Sequence, residues 1–173
     1  MLILVSGGSA SGKSEFAESL MTAGGESPRF YAATMRIWDR ECQERVERHR
    51  AMRRDKGFTT LECPEDPGKL TIPSGSAVLL EDLSNLCANV YFGEVGPERT
   101  EKHVFSGVMH LARQAKRTVV VTNELFSDGI CYDPETAGYL RCLAALNRRI
   151  AAEADAVYEV VCGIPVCWKG ARV

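Results

Sequence analysis

Apolar positions along the chain fall into short continuous runs and longer amphipathic stretches, in near-strict alternation. The first run, Leu2-Ile3-Leu4-Val5, is what a strand buried on both faces requires. It empties into Gly7-Gly8-Ser9-Ala10-Ser11-Gly12-Lys13-Ser14 and then into an amphipathic segment beginning Glu15-Phe16-Ala17, so a strand, a loop and a helix are predicted, the helix ending at Gly24-Gly25. Arg29-Phe30-Tyr31-Ala32-Ala33 reads as a second strand with Thr34-Met35 at its C-terminal end. A charged helix of about Trp38 to Asp55 follows, on which Trp38, Cys42, Val46 and His49 recur at steps of four, four and three and therefore share one face. Arg45, Arg48, Arg50, Arg53 and Arg54 surround its far end.

Phe58–Glu62 predicts a third strand, and a polar connection runs from Cys63 to Gly75. The apolar run Ala77-Val78-Leu79-Leu80 ends in Glu81-Asp82 and resembles a Walker B strand. Helices are predicted from Leu83 to Phe92, with Asn85 and Asn89 on one face, and from the Gly93–Pro97 turn to about Lys116. The strand Thr118–Thr122 delivers Asn123-Glu124, and the loop Leu125 to Tyr132 precedes a helix opened by Asp133-Pro134-Glu135, with Asp133 as its N-cap. Strands around Ala156–Val161 and Pro165–Trp168 close the chain. Strands alternating with helices imply an α/β fold with a mainly parallel sheet covered on both faces, whose ligands collect at the carboxyl ends of the strands, where Ser14, Thr34, Glu81 and Glu124 project.

Composition narrows the picture further. The 173 residues suit a single domain, 1–173, without internal repeats. A net charge of −2 gives no global attraction to nucleic acid or an anionic membrane, and no apolar run approaches membrane-spanning length. Met1 leads straight into the first strand, so no signal peptide is expected and the protein is expected in the cytoplasm. The seven cysteines, at 42, 63, 87, 131, 142, 162 and 167, are odd in number and lack a C-x-x-C pair. That argues against a disulfide framework or a zinc site, and most are expected to be buried thiols.

The chemistry centres on Gly7 to Ser14. In G-x-x-x-x-G-K-S, small residues let successive backbone N–H groups converge on a phosphate, Lys13 reaches the β- and γ-phosphates, and Ser14 can hold Mg²⁺. The helix that starts there adds its positive N-terminal end. A nucleoside triphosphate site follows, with Mg²⁺ between Ser14 and an acid on a neighbouring strand. Glu81 is the first candidate and Asp82 the second, the competing reading being that the paired acids cap the next helix. Glu124 either orients an acceptor hydroxyl or bonds to backbone. His103 and His110 read as ordinary helix positions. His49, ending an apolar stripe and ringed by arginines, is either a core histidine or an imidazole kept neutral enough to attack a phosphate. A kinase of a small hydroxyl compound, and a nucleotide-dependent switch, both fit the loop alone.

Over essentially its whole length the sequence resembles the bifunctional adenosylcobinamide kinase / adenosylcobinamide-phosphate guanylyltransferase family of cobalamin biosynthesis. The resemblance rests on Leu2 to Ser14, Tyr31-Ala32-Ala33-Thr34, Arg45-Val46-Glu47-Arg48-His49-Arg50, Thr60-Leu61-Glu62, the Glu81 strand with Asn89, Val121-Thr122-Asn123-Glu124, Leu146-Asn147-Arg148-Arg149 and Gly163-Ile164-Pro165-Val166. It implies a RecA-like P-loop fold, a homotrimer and two reactions on a corrinoid: phosphorylation of adenosylcobinamide by ATP or GTP, then transfer of GMP from GTP through a GMP-histidine intermediate. It assigns the nucleophile to His49 and nucleotide contacts to Gly7 to Ser14, Ala33-Thr34-Met35, Arg50-Ala51-Met52-Arg53, Glu62 and Glu81. The chain departs from the family where Ala10 replaces a common Arg, where the segment after Asn123-Glu124 is longer and less glycine-rich, and where Cys142 stands near a common acid.

Overall fold

A computed structural model describes residues 1–36 and 56–170. The charged segment predicted as a helix from Trp38 to Asp55 lies outside the described residues. The described strands are β1 (Leu2–Gly7), β2 (Arg29–Ala33), β3 (Phe58–Glu62), β4 (Ala77–Glu81), β5 (Arg117–Asn123), β6 (Ala156–Val161) and β7 (Ile164–Lys169). The helices are α1 (Lys13–Ala23), α2 (Leu83–Tyr91), α3 (Pro97–Gln114) and α4 (Pro134–Glu153). These match the expected runs to within a residue or two at most ends. The connection after Cys63 carries one feature that composition did not show, a 3₁₀ turn at Pro67–Lys69 opened by Asp66, whose side chain accepts from the Gly68 amide.

The strands form one seven-stranded sheet in the order β3-β2-β4-β5-β1-β6-β7, parallel throughout except for β7, which runs antiparallel to β6. Side chains along a strand alternate between faces, so each central strand feeds two cores. Leu2, Leu4, Val78, Leu80 and Val120 point to one face, where they pack against Leu83, Leu86 and Val90 of α2, Val104, Val108 and Leu111 of α3, and Leu143, Leu146 and Ile150 of α4. Ile3, Val5, Leu79, Val119 and Val121 point to the other, against Ala17, Leu20 and Met21 of α1. The continuous apolar runs are thus explained by burial on both faces.

At the sheet's N-terminal edge Arg117 Nε donates to Glu26 Oε2 at 3.2 Å, both residues buried, which ties β5 to the segment leaving α1. Burial opposes ionisation of Glu26, but a backbone amide, Arg117 and Lys116 outweigh it and hold the carboxyl below its usual range. The far edge differs: on the β6–β7 hairpin Val161, Ile164, Val166 and Trp168 are all exposed. No helix among the described residues is long and apolar enough to cross a membrane.

Candidate active site

β1 ends at Gly7, and the chain turns through Ala10, at φ 55°, and Gly12, at φ 90°, before entering α1. No side chain caps α1 at Gly12, so the helix presents its first-turn amides to the loop it leaves. Lys13 is buried, and its ammonium group donates to the Gly8 carbonyl at 3.0 Å, folding the side chain back across the loop. The loop is braced from outside: the Gly163 amide, in the β6–β7 turn, donates to the Ser11 carbonyl at 2.8 Å, and the Glu124 amide donates to the Gly7 carbonyl at 3.0 Å. The brace from Gly163 was not anticipated from sequence. Its only local sign is Gly163 itself, at φ 79°, where a hairpin turn needs a left-handed residue.

The structure separates the two adjacent acids. Ser14 Oγ donates to Glu81 Oε1, across the intervening strand β5. Asp82 instead caps α2, its Oδ1 accepting from the Asn85 amide at 2.7 Å and the Ser84 hydroxyl at 2.8 Å. Its Oδ2 accepts from the side-chain amides of Asn85 at 3.2 Å and Asn123 at 3.1 Å. Asn123 also donates to Ser84 Oγ at 2.6 Å, which joins the end of β5 to the start of α2. A serine hydroxyl beside a carboxylate is a hard-oxygen pair of the kind Mg²⁺ takes when phosphates and water supply its other ligands, so the residues present fit that ion.

Thr34 was expected to project among the ligands, yet it is fully buried and its hydroxyl is spent on the backbone: it donates to the Asp82 carbonyl at 2.9 Å and accepts from the Asp82 amide at 2.7 Å. Asn89 ties the Thr34 carbonyl to that of Pro64, donating to each at 2.8 Å. Ala33 and Met35 flank it, half-buried, while Glu62 ends β3 in the open, in register with Ala33. Glu124 Oε1 accepts from the Phe126 amide at 2.8 Å, the backbone-bonded arrangement. His103 Nε2 lies 3.2 Å from the Glu65 carbonyl, in an open cleft of about 760 Å³ between the Pro67–Lys69 turn and α3. His49, Arg50, Ala51, Met52 and Arg53 lie outside the described residues.

The cysteines depart from expectation. Of the six described, only Cys63 and Cys87 are buried, because Cys131 and Cys162 fall in turns that display their side chains. Burial pushes the Cys63 thiol up to about 12. Cys87 and Cys142 bring their sulfurs to 3.9 Å between α2 and α4.

The chain resembles known proteins over nearly its whole length. The family described as cobinamide kinase / cobinamide phosphate guanyltransferase matches residues 3–168. The bifunctional adenosylcobalamin biosynthesis protein CobU of Salmonella typhimurium is 34% identical over 183 residues, covering 96% of this chain and 98% of that one. Its Escherichia coli counterpart is likewise 34% identical, over 182 residues, with the same coverage. Among solved structures, a KaiC-like protein from the archaeon Pyrococcus horikoshii superposes with a TM-score of 0.51 at 13% identity, covering 91% of this chain and 71% of that one, a likeness of fold alone. The fold is that of the RecA-like P-loop ATPases.

Proposed function

The chain belongs to the cobinamide kinase / cobinamide phosphate guanyltransferase family, and from that premise we propose that it carries out two successive transfers on one corrinoid. In the first, the aminopropanol hydroxyl of adenosylcobinamide attacks the γ-phosphorus of ATP or GTP, the bond to the bridging β–γ oxygen breaks, and the nucleoside diphosphate leaves. In the second, a ring nitrogen of His49 attacks the α-phosphorus of GTP and pyrophosphate leaves. The corrinoid phosphate then displaces the imidazole, giving adenosylcobinamide-GDP.

The observation that carries the kinase half is the contact between Ser14 and Glu81 at the mouth of a braced phosphate loop. Lys13, now held by the Gly8 carbonyl, would move its ammonium onto the β- and γ-phosphates and neutralise charge that builds during transfer. The amides of the Gly7 to Ser14 loop and the first turn of α1 would hold the phosphate oxygens in place. Ser14 and Glu81 would hold Mg²⁺, which when bound supplies charge neutralisation at the phosphates. Thr34 and Asp82 would position these groups by locking the end of β2 to the start of α2, leaving Ala33, Met35 and Glu62 along the edge where the nucleoside would lie. Arg50, Ala51, Met52 and Arg53 would contact the nucleotide during guanylyl transfer. We place the reactions in the cytoplasm, in a single-domain chain that assembles as a homotrimer, and the exposed apolar row on the β6–β7 hairpin supports that assembly.

The test is incubation with α-labelled GTP. A GMP-histidine is a phosphoramidate, labile in mild acid and persistent in base, the reverse of an acyl phosphate on Asp or Glu. His49→Ala should abolish the label and the formation of adenosylcobinamide-GDP while retaining phosphorylation of adenosylcobinamide. A label that survives in the variant, or that maps to His103 or His110, overturns the assignment of guanylyl transfer to His49 and its helix face. A single-copy mass by light scattering at micromolar concentration overturns the trimer.

A further inference from the structure

Surface loops ordinarily turn polar side chains toward water. The loop after β5 turns large apolar side chains outward as well. Its carboxylates are spent on its own frame: Glu124 Oε1 accepts from the Phe126 amide at 2.8 Å, Asp128 Oδ1 from the Ile130 amide at 3.0 Å, and Asp128 Oδ2 from the Tyr132 hydroxyl. Gly129 supplies a left-handed turn at φ 70°, and Asp133 Oδ1 accepts from the Glu135 and Thr136 amides at 3.0 Å each, fixing where α4 begins. Beside the exposed Ser127 and Asp128, four large apolar side chains face outward, Leu125, Phe126, Ile130 and Tyr132, between 37% and 61% exposed. The frame thus holds four large apolar side chains at the surface of one short loop.

Its root is equally specific. The Glu124 amide donates to the carbonyl of Gly7, the first residue of the phosphate loop, and Asn123 pairs in register with that same glycine. We propose that the Leu125–Tyr132 loop is the platform on which the acceptor of phosphoryl transfer rests, and that its occupant is the corrin macrocycle of cobinamide. This rests on the kinase reading above. The occupant must offer a broad apolar face to several separated side chains, together with an arm long enough to bring a hydroxyl past the loop's root to the bound phosphate. A methyl-edged corrin ring bearing an aminopropanol arm has both. Charge agrees: residues 124–133 contain three carboxylates and no lysine or arginine, which suits a corrinoid whose cobalt centre is cationic.

The experiment compares wild type with the double variant Phe126→Ser/Ile130→Ser, both positions being exposed so that the fold does not depend on them. The KM for adenosylcobinamide should rise about tenfold or more, ~1.4 kcal/mol, while the Kd for a fluorescent ATP analogue stays within about twofold of wild type. An unchanged KM in the variant, with wild type phosphorylating adenosylcobinamide normally, overturns the platform and leaves the kinase reading standing. Absence of cobinamide-dependent turnover in wild type removes the kinase reading, and the platform falls with it. A changed mass by light scattering with an unchanged KM makes the loop a contact between protein copies and also overturns the proposal.

Discussion

Three glycines of the phosphate loop should respond differently to alanine, for reasons fixed by their surroundings. At Gly7 an added Cβ would lie 2.5 Å from Ser11 Oγ and 2.7 Å from the Val160 carbonyl oxygen. The serine can rotate away, but Val160 belongs to β6, paired in register with Gly7, so the two strands would have to part. Overpacking of that kind costs about 1–3 kcal/mol. At Gly12 the backbone sits at φ 90° and a Cβ would lie 3.2 Å from Gly163 Cα; an L-residue there loses about 1–2 kcal/mol before the contact is counted. Gly8 has nothing within 4 Å of an added Cβ and is not among the positive-φ residues, so Gly8→Ala should change stability by less than about 0.5 kcal/mol. In a chain of this size each kcal/mol shifts Tm by roughly 2–4 °C, so Gly7→Ala and Gly12→Ala should each lower Tm by about 2–12 °C and Gly8→Ala by about 2 °C at most. Thermal unfolding followed by circular dichroism without nucleotide reads this directly. Saturating ATP, which at a hundredfold excess over Kd stabilises the wild type by about 2.7 kcal/mol, should stabilise Gly12→Ala much less, because the amides that meet the phosphate have been displaced. If Gly8→Ala loses as much stability as Gly7→Ala in the nucleotide-free protein, the contacts described here are not what the motif glycines protect.

Lys13→Ala should lower the rate of corrinoid phosphorylation by about a hundredfold or more, and a wild-type rate would remove the lysine from the transferring phosphate. Glu81→Gln should raise the Mg²⁺ requirement more than the nucleotide Kd, whereas Asp82→Asn should cost about 1 kcal/mol in unfolding through the α2 cap and leave the Mg²⁺ titration alone; the opposite pattern would mean that the acids are assigned the wrong way round. The Glu26–Arg117 pair predicts a pH dependence. The folded carboxyl titrates below its ordinary value of 4.5, so its contribution is complete above that pH and is lost as pH falls through the lower folded value. The Tm difference between wild type and Glu26→Gln should therefore be full near neutrality and shrink in acid below about pH 4.5, and a difference that grows in acid would contradict the pairing.

How much of this was legible in the sequence depended on whether a position obeyed a local rule. The strands, the helix starting after Gly12 and the Asp133 cap follow from period, glycine and capping chemistry, all of which act over a few residues. Glu81 and Asp82 stood as first and second candidates, and which of them meets Ser14 follows from alternation along β4. Leu79 packs toward α1 and Leu80 toward α2, α3 and α4, so Glu81, two residues beyond Leu79, continues toward α1 and Ser14. Asp82 falls in step with Leu80 and opens α2 on the opposite face, where Ser84 and Asn85 at the next positions are the partners an N-cap needs.

The same rule gave less warning at Thr34, whose place at a strand end suggested a ligand contact. Its hydroxyl meets the Asp82 backbone only because β2 and β4 are neighbours, and neighbourhood in a parallel sheet is set by crossovers that leave no local signature. The cysteines failed for a related reason: a thiol behaves as a small hydrophobe where an element carries it inward, but Cys162 turns between β6 and β7 at φ 50° and Cys131 sits in the displayed loop after β5. Side chains at the joints between elements are thus the hardest to place, and in a doubly covered parallel sheet those joints hold the chemistry. Ser14, Glu81 and Asn123 each stand at the end of a different strand or the start of its helix, so the proposed site is assembled only when β1, β4 and β5 pair in register. A shift of one residue along β5 would move Asn123 away from Asp82 and Ser84, and the Glu124 amide away from Gly7.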